Sequence, residues 1–190
     1  MKLARLAGLG VAFGLIGLMG RDVSATNAVP RPQAFSEIAW PLLRDQWGRG
    51  RAFTCDASRC GAQLKLYVRS KVGFCECFDH VDDDDDVDRL TDFDLIGGDR
   101  IVALGAGRRI AVNGNPARLR AFRLESPKGP ARQALALAVA SDCRALVALL
   151  VADREVAPDT RAPIETAVLQ LITDLLPGAP AANDRSELSQ

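Results

Sequence analysis

The chain has 190 residues, of which 24 are basic and 24 are acidic, so its formal net charge at pH 7 is +0. A protein that holds nucleic acid or anionic lipid through bulk charge needs a surplus of Lys and Arg, and we therefore expect no nucleic-acid partner. Hydrophobic residues make up 48% of the chain. Its length and composition suit one domain with a packed core.

The first 25 residues are typical of a cleavable secretory signal. Lys2 and Arg5 precede an uncharged run over residues 6–20, and Val23 and Ala25 place small side chains where a signal peptidase cuts. The run is shorter than the roughly 20 apolar residues that span a bilayer, which disfavours an uncleaved anchor. We expect cleavage near Ala25 and a periplasmic or secreted mature protein without a stable membrane anchor.

Residues 26–33 are predicted to form an extended leader, because Pro30 and Pro32 prevent regular structure. A single α+β domain is predicted over residues 34–176. It should open with a short helix within residues 34–47, where apolar residues recur at helical spacing. Residues 177–190 are small and polar and are predicted to form a disordered tail.

The middle of the domain is predicted to contain hairpins. Alternating apolar residues indicate a first hairpin from residues 63–69 and 72–78. A second is indicated by residues 109–113 and 117–125, which flank Asn113-Gly114, a dipeptide typical of tight turns. The predicted sheet is therefore antiparallel.

Residues 133–152 could form two strands or one helix, because Ala and Leu favour helix while their alternation favours strand. We favour two strands, since Ser141-Asp142-Cys143 interrupts the pattern. A C-terminal amphipathic helix is indicated from about Pro163 to Pro177. The predicted α+β fold is thus an antiparallel sheet of hairpins, with the N-terminal short helix and the C-terminal amphipathic helix packed on one face.

Five cysteines follow the signal sequence, in a compartment that favours disulfides. Four of them, Cys55, Cys60, Cys75 and Cys77, flank the first predicted hairpin and are disulfide candidates, with connectivity open. A zinc site is the alternative, although neither pair has the usual C-x2-C spacing. A redox-active Cys75–Cys77 pair is another, although it lacks a C-x-x-C motif. Because five cysteines can form at most two disulfides within the chain, one is left over, and no role is assigned to Cys143.

The segment 79–98 is rich in acidic residues. Asp82, Asp84, Asp86 and Asp88 offer carboxylates at alternate positions, and such hard oxygen ligands suit Ca²⁺. No cofactor is assigned, and calcium at these carboxylates is the candidate. The spacing of these residues does not match the calcium-binding loop of an EF-hand. We favour a solvated acidic loop that caps a helical turn near Val87 and pairs with Arg89 or with the arginines of the second hairpin.

No catalytic residue is assigned. His80 is the one histidine in the chain, and we interpret it as a surface residue beside acids because sequence adjacency does not establish a hydrogen-bonded pair. The segment from Gly105 to Arg109 could cradle a phosphate but matches no nucleotide-binding pattern, so turn glycines beside solvated arginines explain it better.

The pattern Gly73-Phe74-Cys75-x-Cys77 with the acidic run after it resembles a group of uncharacterised exported proteins of proteobacteria. The likeness covers the first half of the mature domain. It implies a shared disulfide-bearing scaffold and transfers no known activity. The leading hypothesis is a non-enzymatic, exported module that binds a protein or envelope component through a sheet edge or the acidic segment. A calcium-binding protein and a thiol-redox protein are the alternatives.

Overall fold

The computed structural model describes residues 32–42, 45–72, 81, 83–96, 100–127, 129–141 and 144–176. The predicted signal peptide, most of the predicted leader and the predicted tail lie outside the described residues. The candidate site residues Cys75, Cys77, His80 and Asp82 lie outside them too, as does Cys143.

Strands dominate the described part of the chain. They are β1 (Ser36–Ile38), β2 (Arg51–Cys55), β3 (Leu64–Val72), β4 (Arg100–Ala103), β5 (Arg108–Val112), β6 (Asn115–Glu125), β7 (Arg132–Ser141) and β8 (Arg144–Ala152). The helices are a 3₁₀ turn (Pro32–Ala34), α1 (Ala57–Cys60), α2 (Asp84–Leu90), α3 (Phe93–Ile96) and α4 (Pro158–Leu175). None of these helices combines the length and apolar character needed to cross a bilayer.

All strands belong to one antiparallel sheet. Its order is β1-β2-β3-β8-β7-β6-β4. β5 also pairs with β6, on the same side as β4: β5 lies along the first residues of β6 and β4 along the last. The β5–β6 hairpin turns at Asn113-Gly114, both of which have positive φ, and the β7–β8 hairpin breaks after Ser141. The α+β class, the antiparallel sheet and these two strand pairs are therefore confirmed.

Helices cover both faces of the sheet. The core on one face contains α4 through Ile164, Val168 and Ile172. The core on the opposite face contains α2 through Val87 and Leu90. The prediction that the helices pack on one face is wrong, because β7 and β8 carry apolar side chains on both faces and each face needs a cover.

The predicted N-terminal helix is also wrong. Residues 36–38 form β1, which pairs antiparallel with β2 from Ser36↔Thr54 to Ile38↔Ala52. Such a short segment has little intrinsic helical stability, so pairing with an available strand decides its conformation. Pro41 follows, and its missing N–H cannot extend a strand ladder.

The first predicted hairpin would turn at residues 70–71, but one long strand runs through them. Most of its predicted second strand, residues 73–78, lies outside the described residues. β3 continues without a turn to Val72 and pairs along its whole length with β8, from Leu64↔Ala152 to Val72↔Arg144. A turn at residues 70–71 does not form, because Arg69 and Lys71 are buried on the face of the sheet that α2 covers. Their partners are described below.

Candidate binding surface

Cys55 and Cys60 form a disulfide that joins the end of β2 to α1. Both side chains are buried in the α4-side core. Gly61, with φ of 73°, ends α1 in the left-handed conformation that glycine adopts without strain. This bond confirms that part of the disulfide prediction. The zinc and thiol-redox hypotheses also need Cys75 and Cys77, and they stay predictions.

The acidic segment folds as α2. Asp83 caps the helix, because its carboxylate accepts a hydrogen bond from the Asp86 backbone N–H at 3.0 Å. Asp86 also pairs with Arg89 at 2.7 Å. Of the calcium candidates that are described, Asp84, Asp86 and Asp88 each have an arginine partner. The described residues contain no group of three metal-ligating side chains, and the calcium hypothesis stays a prediction.

Asp84 attaches the first turn of α2 to the sheet. Its carboxylate accepts hydrogen bonds from Arg118 Nε at 2.7 Å and from the Gly107 backbone N–H at 3.0 Å. Arg120 Nε lies 3.6 Å from the same carboxylate, and Arg120 Nη1 binds Asp88 at 2.6 Å. The hydrogen bond from Arg118 holds the pKa of Asp84 below its ordinary value against the opposing effect of burial, and the Gly107 N–H acts in the same direction.

A second ion-pair network lies under the other end of α2 and α3. Arg69, whose side chain is 2% exposed, binds Asp92 at 2.5 Å and Asp45 at 2.7 Å. Lys71 Nζ lies 2.7 Å from Asp92, donates to the Leu90 carbonyl at 2.6 Å and sits over the ring of Trp47. Two cations therefore face two carboxylates. Arg69, Lys71 and Asp92 are buried, while Asp45 is partly exposed.

These contacts affect the ionisation of the buried network. Burial alone would lower the pKa of the Arg69 guanidinium, but its hydrogen bonds to Asp92 and Asp45 outweigh this and raise that pKa above its ordinary value. The hydrogen bond from Arg69 likewise lowers the pKa of Asp45. The ion pairs of Asp92 therefore hold the segment that joins α2 to α3 to the sheet, in addition to apolar packing.

The strand β4 ends the sheet on the side away from β1. Within the described residues β4 has one strand neighbour, β6, so its other side is open. The two large hydrophobic side chains that stand out as exposed in the described part of the chain are Ile101, at 40%, and Leu104, at 39%. Both belong to this edge, which we call the β4 edge and define as residues 100–104.

The direction of the backbone groups on the β4 edge follows from its pairing with β6. The Leu104 N–H donates to the Ala121 carbonyl at 2.9 Å, which makes Ala103↔Phe122 a non-hydrogen-bonded pair. Since the pattern alternates along an antiparallel ladder, the N–H and C=O of Ile101 and Ala103 point away from β6. Within the described residues, no strand pairs with those four groups.

The opposite end of the sheet is protected differently. β1 has three residues, and Glu37 on it forms an ion pair with Arg51 of β2 at 2.6 Å. A short edge strand that carries charges is a poor template for further pairing. On β4 the one charged residue is Arg100, at its start. The β4 edge is thus the less protected end of the sheet.

Sequence reasoning missed β4 and the Arg69 network. The run Arg100–Leu104 between Gly97-Gly98 and Gly105 has the length and flanking glycines of a strand, and that signal could have identified it. The alternation of Arg69 and Lys71 with Val68 could have placed the two cations on one face of β3. Nothing in the spacing predicts that Asp45 and Asp92 meet them.

Comparisons with known proteins add no family. No family model and no curated protein matches the chain. Among solved structures it is similar to a protein of unknown function from Pseudomonas aeruginosa, with 15% identity and a TM-score of 0.46 over 75% of this chain and 96% of that chain. A likeness of this degree carries no argument about function.

Proposed function

We propose that this protein is an exported, non-enzymatic binding module that contacts a partner outside the cytoplasm through the β4 edge. The observation that carries the proposal is the exposure of Ile101 on β4 and of Leu104 directly after it, at a strand that has one strand neighbour within the described residues. An extended partner segment can add to such an edge by main-chain hydrogen bonds, while pockets for alternate side chains give specificity.

The packing of the sheet favours an edge over a face as the contact surface. The chain's own helices cover both faces, α4 on one side and α2 with α3 on the other. A partner on either face would have to displace a buried apolar helix surface, and at α2 also the pairs that Asp84 and Asp92 make with basic residues of the sheet. Adding a strand to β4 displaces nothing in the described residues.

Export is supported by the N-terminal sequence and by the cysteines. Lys2, Arg5 and the apolar run after them are typical of a secretory signal. The Cys55–Cys60 disulfide suits an oxidising compartment, since cytosolic proteins rarely keep such bonds. Outside the cytosol no reductant would break the Cys55–Cys60 disulfide, and the bond would stabilise the folded protein.

Site-specific photo-cross-linking in the cell that makes the protein tests the proposal. A photoreactive amino acid replaces Ile101 in one strain and the exposed Ala39, after β1, in a control strain. We expect a discrete adduct at position 101 whose yield falls when Ala103→Pro removes the outward N–H, with the cross-linked segment identified by mass spectrometry. An adduct yield at position 101 no higher than at position 39 would overturn the proposal.

The same cells test export. Mass spectrometry of the protein released with the periplasmic fraction should give a new N-terminus near residue 26. Recovery of the uncleaved chain from the cytosol would contradict the proposed location.

A further inference from the structure

We infer that Gly107, Arg118 and Arg120 form a binding site for a singly charged tetrahedral oxyanion, the chemistry of a sulfate ester, and that the Asp84 carboxylate is its built-in competitor. The site lies on the α2 side of the sheet and does not involve the β4 edge, so the inference goes beyond the proposed function. It gives a role to the segment from Gly105 to Arg109, whose glycines and arginines could cradle a phosphate.

The donors of this site come from the sheet and converge on one point. The Gly107 N–H donates to both oxygens of the Asp84 carboxylate, at 3.0 and 3.1 Å, and Arg118 Nε donates to one of them at 2.7 Å. Arg120 Nε lies 3.6 Å from the other oxygen. A backbone N–H together with two guanidinium groups is a typical donor set for phosphate and related oxyanions.

Two glycines allow the backbone to approach the anion closely. A Cβ on Gly107 would lie 2.5 Å from Asp84 Oδ1 and 3.1 Å from Arg118 Nε. Gly105, two residues earlier, has a φ of 93°, which glycine adopts without strain. The segment between β4 and β5 is therefore shaped to present an N–H to an oxygen that lies beside the arginines.

The Asp84 carboxylate does not use every donor of the site. Within the described residues Arg120 Nε is buried and makes no hydrogen bond. The guanidinium is held in place by Asp88, which accepts from Nη1 at 2.6 Å, and by the ring of Phe122 beneath it. A carboxylate is planar and has two oxygens, whereas a tetrahedral group offers a third oxygen outside that plane. The unpaired donor therefore favours a tetrahedral oxyanion.

The neighbouring charges limit the ligand to one negative charge. The incoming group replaces the carboxylate of Asp84, so a single charge leaves the net charge of the site unchanged. Asp88 stays on Arg120, and a second negative charge on the ligand would repel it. A sulfate ester combines three free oxygens with one charge, while a phosphate monoester carries nearly two charges near neutral pH.

Asp84 can leave the site while α2 stays on the sheet. It is the first residue of α2, and the buried apolar residues of the helix, Val87 and Leu90, come later. Unwinding the first turn breaks the hydrogen bond from the Asp86 N–H to Asp83 but leaves those two residues in place. The ends of short helices open readily. The apparent affinity for the oxyanion is its affinity for the open site, reduced by the fraction of molecules that are open.

Titration of the purified mature protein with methyl sulfate, followed by the NMR signal of the Gly107 N–H at constant ionic strength, tests the inference. We expect Asp84→Ala to bind methyl sulfate at least about tenfold more tightly than the wild type, because the competitor is gone. The variant should prefer methyl sulfate to acetate by about tenfold, the value of one further hydrogen bond. Adding Arg118→Met should abolish binding. Glu37→Ala, which removes an arginine's partner at an exposed pair on β1 and β2, should bind like the wild type.

A second measurement shows whether the wild type opens, and it does not depend on how well any variant folds. Methyl sulfate should speed the hydrogen exchange of the Asp86 N–H and leave that of Leu90 unchanged. Binding that Arg118→Met does not weaken, equal binding of acetate and methyl sulfate by Asp84→Ala, or unchanged exchange at Asp86 in the wild type overturns the inference. None of these results bears on the β4 edge, so the proposed function is tested separately.

Discussion

The carboxylate of Asp84 lies against the backbone of Gly107, whose N–H donates to both of its oxygens at 3.0 and 3.1 Å. The pair joins the first turn of α2 to the segment between β4 and β5, where residues 104–107 loop out opposite a short stretch of β6. The helix α2 is therefore attached to the side of the sheet on which the β4 edge lies.

Replacing Gly107 by Ala should destabilise the protein by about 1 to 3 kcal/mol, the usual range for overpacking. A Cβ at this position would lie 2.5 Å from Asp84 Oδ1 and 3.2 Å from the Leu119 carbonyl, and the latter is backbone that cannot rotate away. Urea unfolding measures the change. Gly129→Ala is the control, because its Cβ would meet its nearest neighbour at 4.0 Å. Equal stability of the two variants would contradict the packing described here.

Stability should fall in acid because of Asp84 and Asp45. The pKa of each carboxyl is lowered in the folded protein by its arginine partner. Their contribution is therefore complete above the unfolded pKa of about 3.9 and is lost as pH falls through the lower folded value. The free energy of unfolding should decrease below about pH 4. Asp84→Asn should reduce the size of this decrease, and an unchanged acid profile in that variant would count against the Asp84 contacts.

Arg69→Met should cost about 3 kcal/mol, because it leaves Asp92 and Asp45 without a nearly buried hydrogen-bond partner. Arg51→Met is the matched control on the neighbouring strand, since Arg51 pairs with Glu37 at an exposed position and such pairs contribute little to stability. Guanidinium unfolding of both variants gives the comparison. Similar losses in the two would show that the Arg69 network is not the stronger attachment.

Removing the disulfide by Cys55→Ala with Cys60→Ala should lower the free energy of unfolding by about 2 kcal/mol, the chain-entropy estimate for a loop this short. The two residues are separated by 5 positions. Unfolding of the double variant and of the wild type without reductant measures the difference. Free thiols at both positions in wild-type protein prepared without reductant would contradict the bond.

Much of the fold could be predicted from local signals. The β5–β6 turn follows from Asn113-Gly114, the break between β7 and β8 from the polar residues after Ala140, and α4 from its helical spacing. Each of these signals lies within a few residues of the feature it specifies. Turn chemistry and periodicity act at that range.

The covering of both faces was not predicted, although the sequence of β7 contains the reason. Ala134, Ala136 and Ala138 face the α2 side, while Leu135 and Leu137 face the α4 side. A strand that is apolar at every position is covered twice, as in buried strands generally.

The candidate surface depends on contacts between distant segments, and these are not visible in local spacing. Asp84 meets Arg118 across 34 residues, and Arg69 meets Asp92 across 23. Whether β4 ends the sheet depends on the order of all the strands. The pairing of the acidic segment with arginines of the second hairpin was predicted, and Arg118 and Arg120 confirm it at Asp84 and Asp88. Local spacing does not identify which carboxylate meets which arginine.

Amide hydrogen exchange of β4 in dilute, monomeric protein tests most directly whether this edge is free to take a partner. The N–H of Arg100, Val102 and Leu104, which face β6, should exchange slowly, while those of Ile101 and Ala103 should exchange orders of magnitude faster. Slow exchange at Ile101 and Ala103 in the monomer would mean that another part of the chain already covers the edge, and the binding role assigned to it would be wrong.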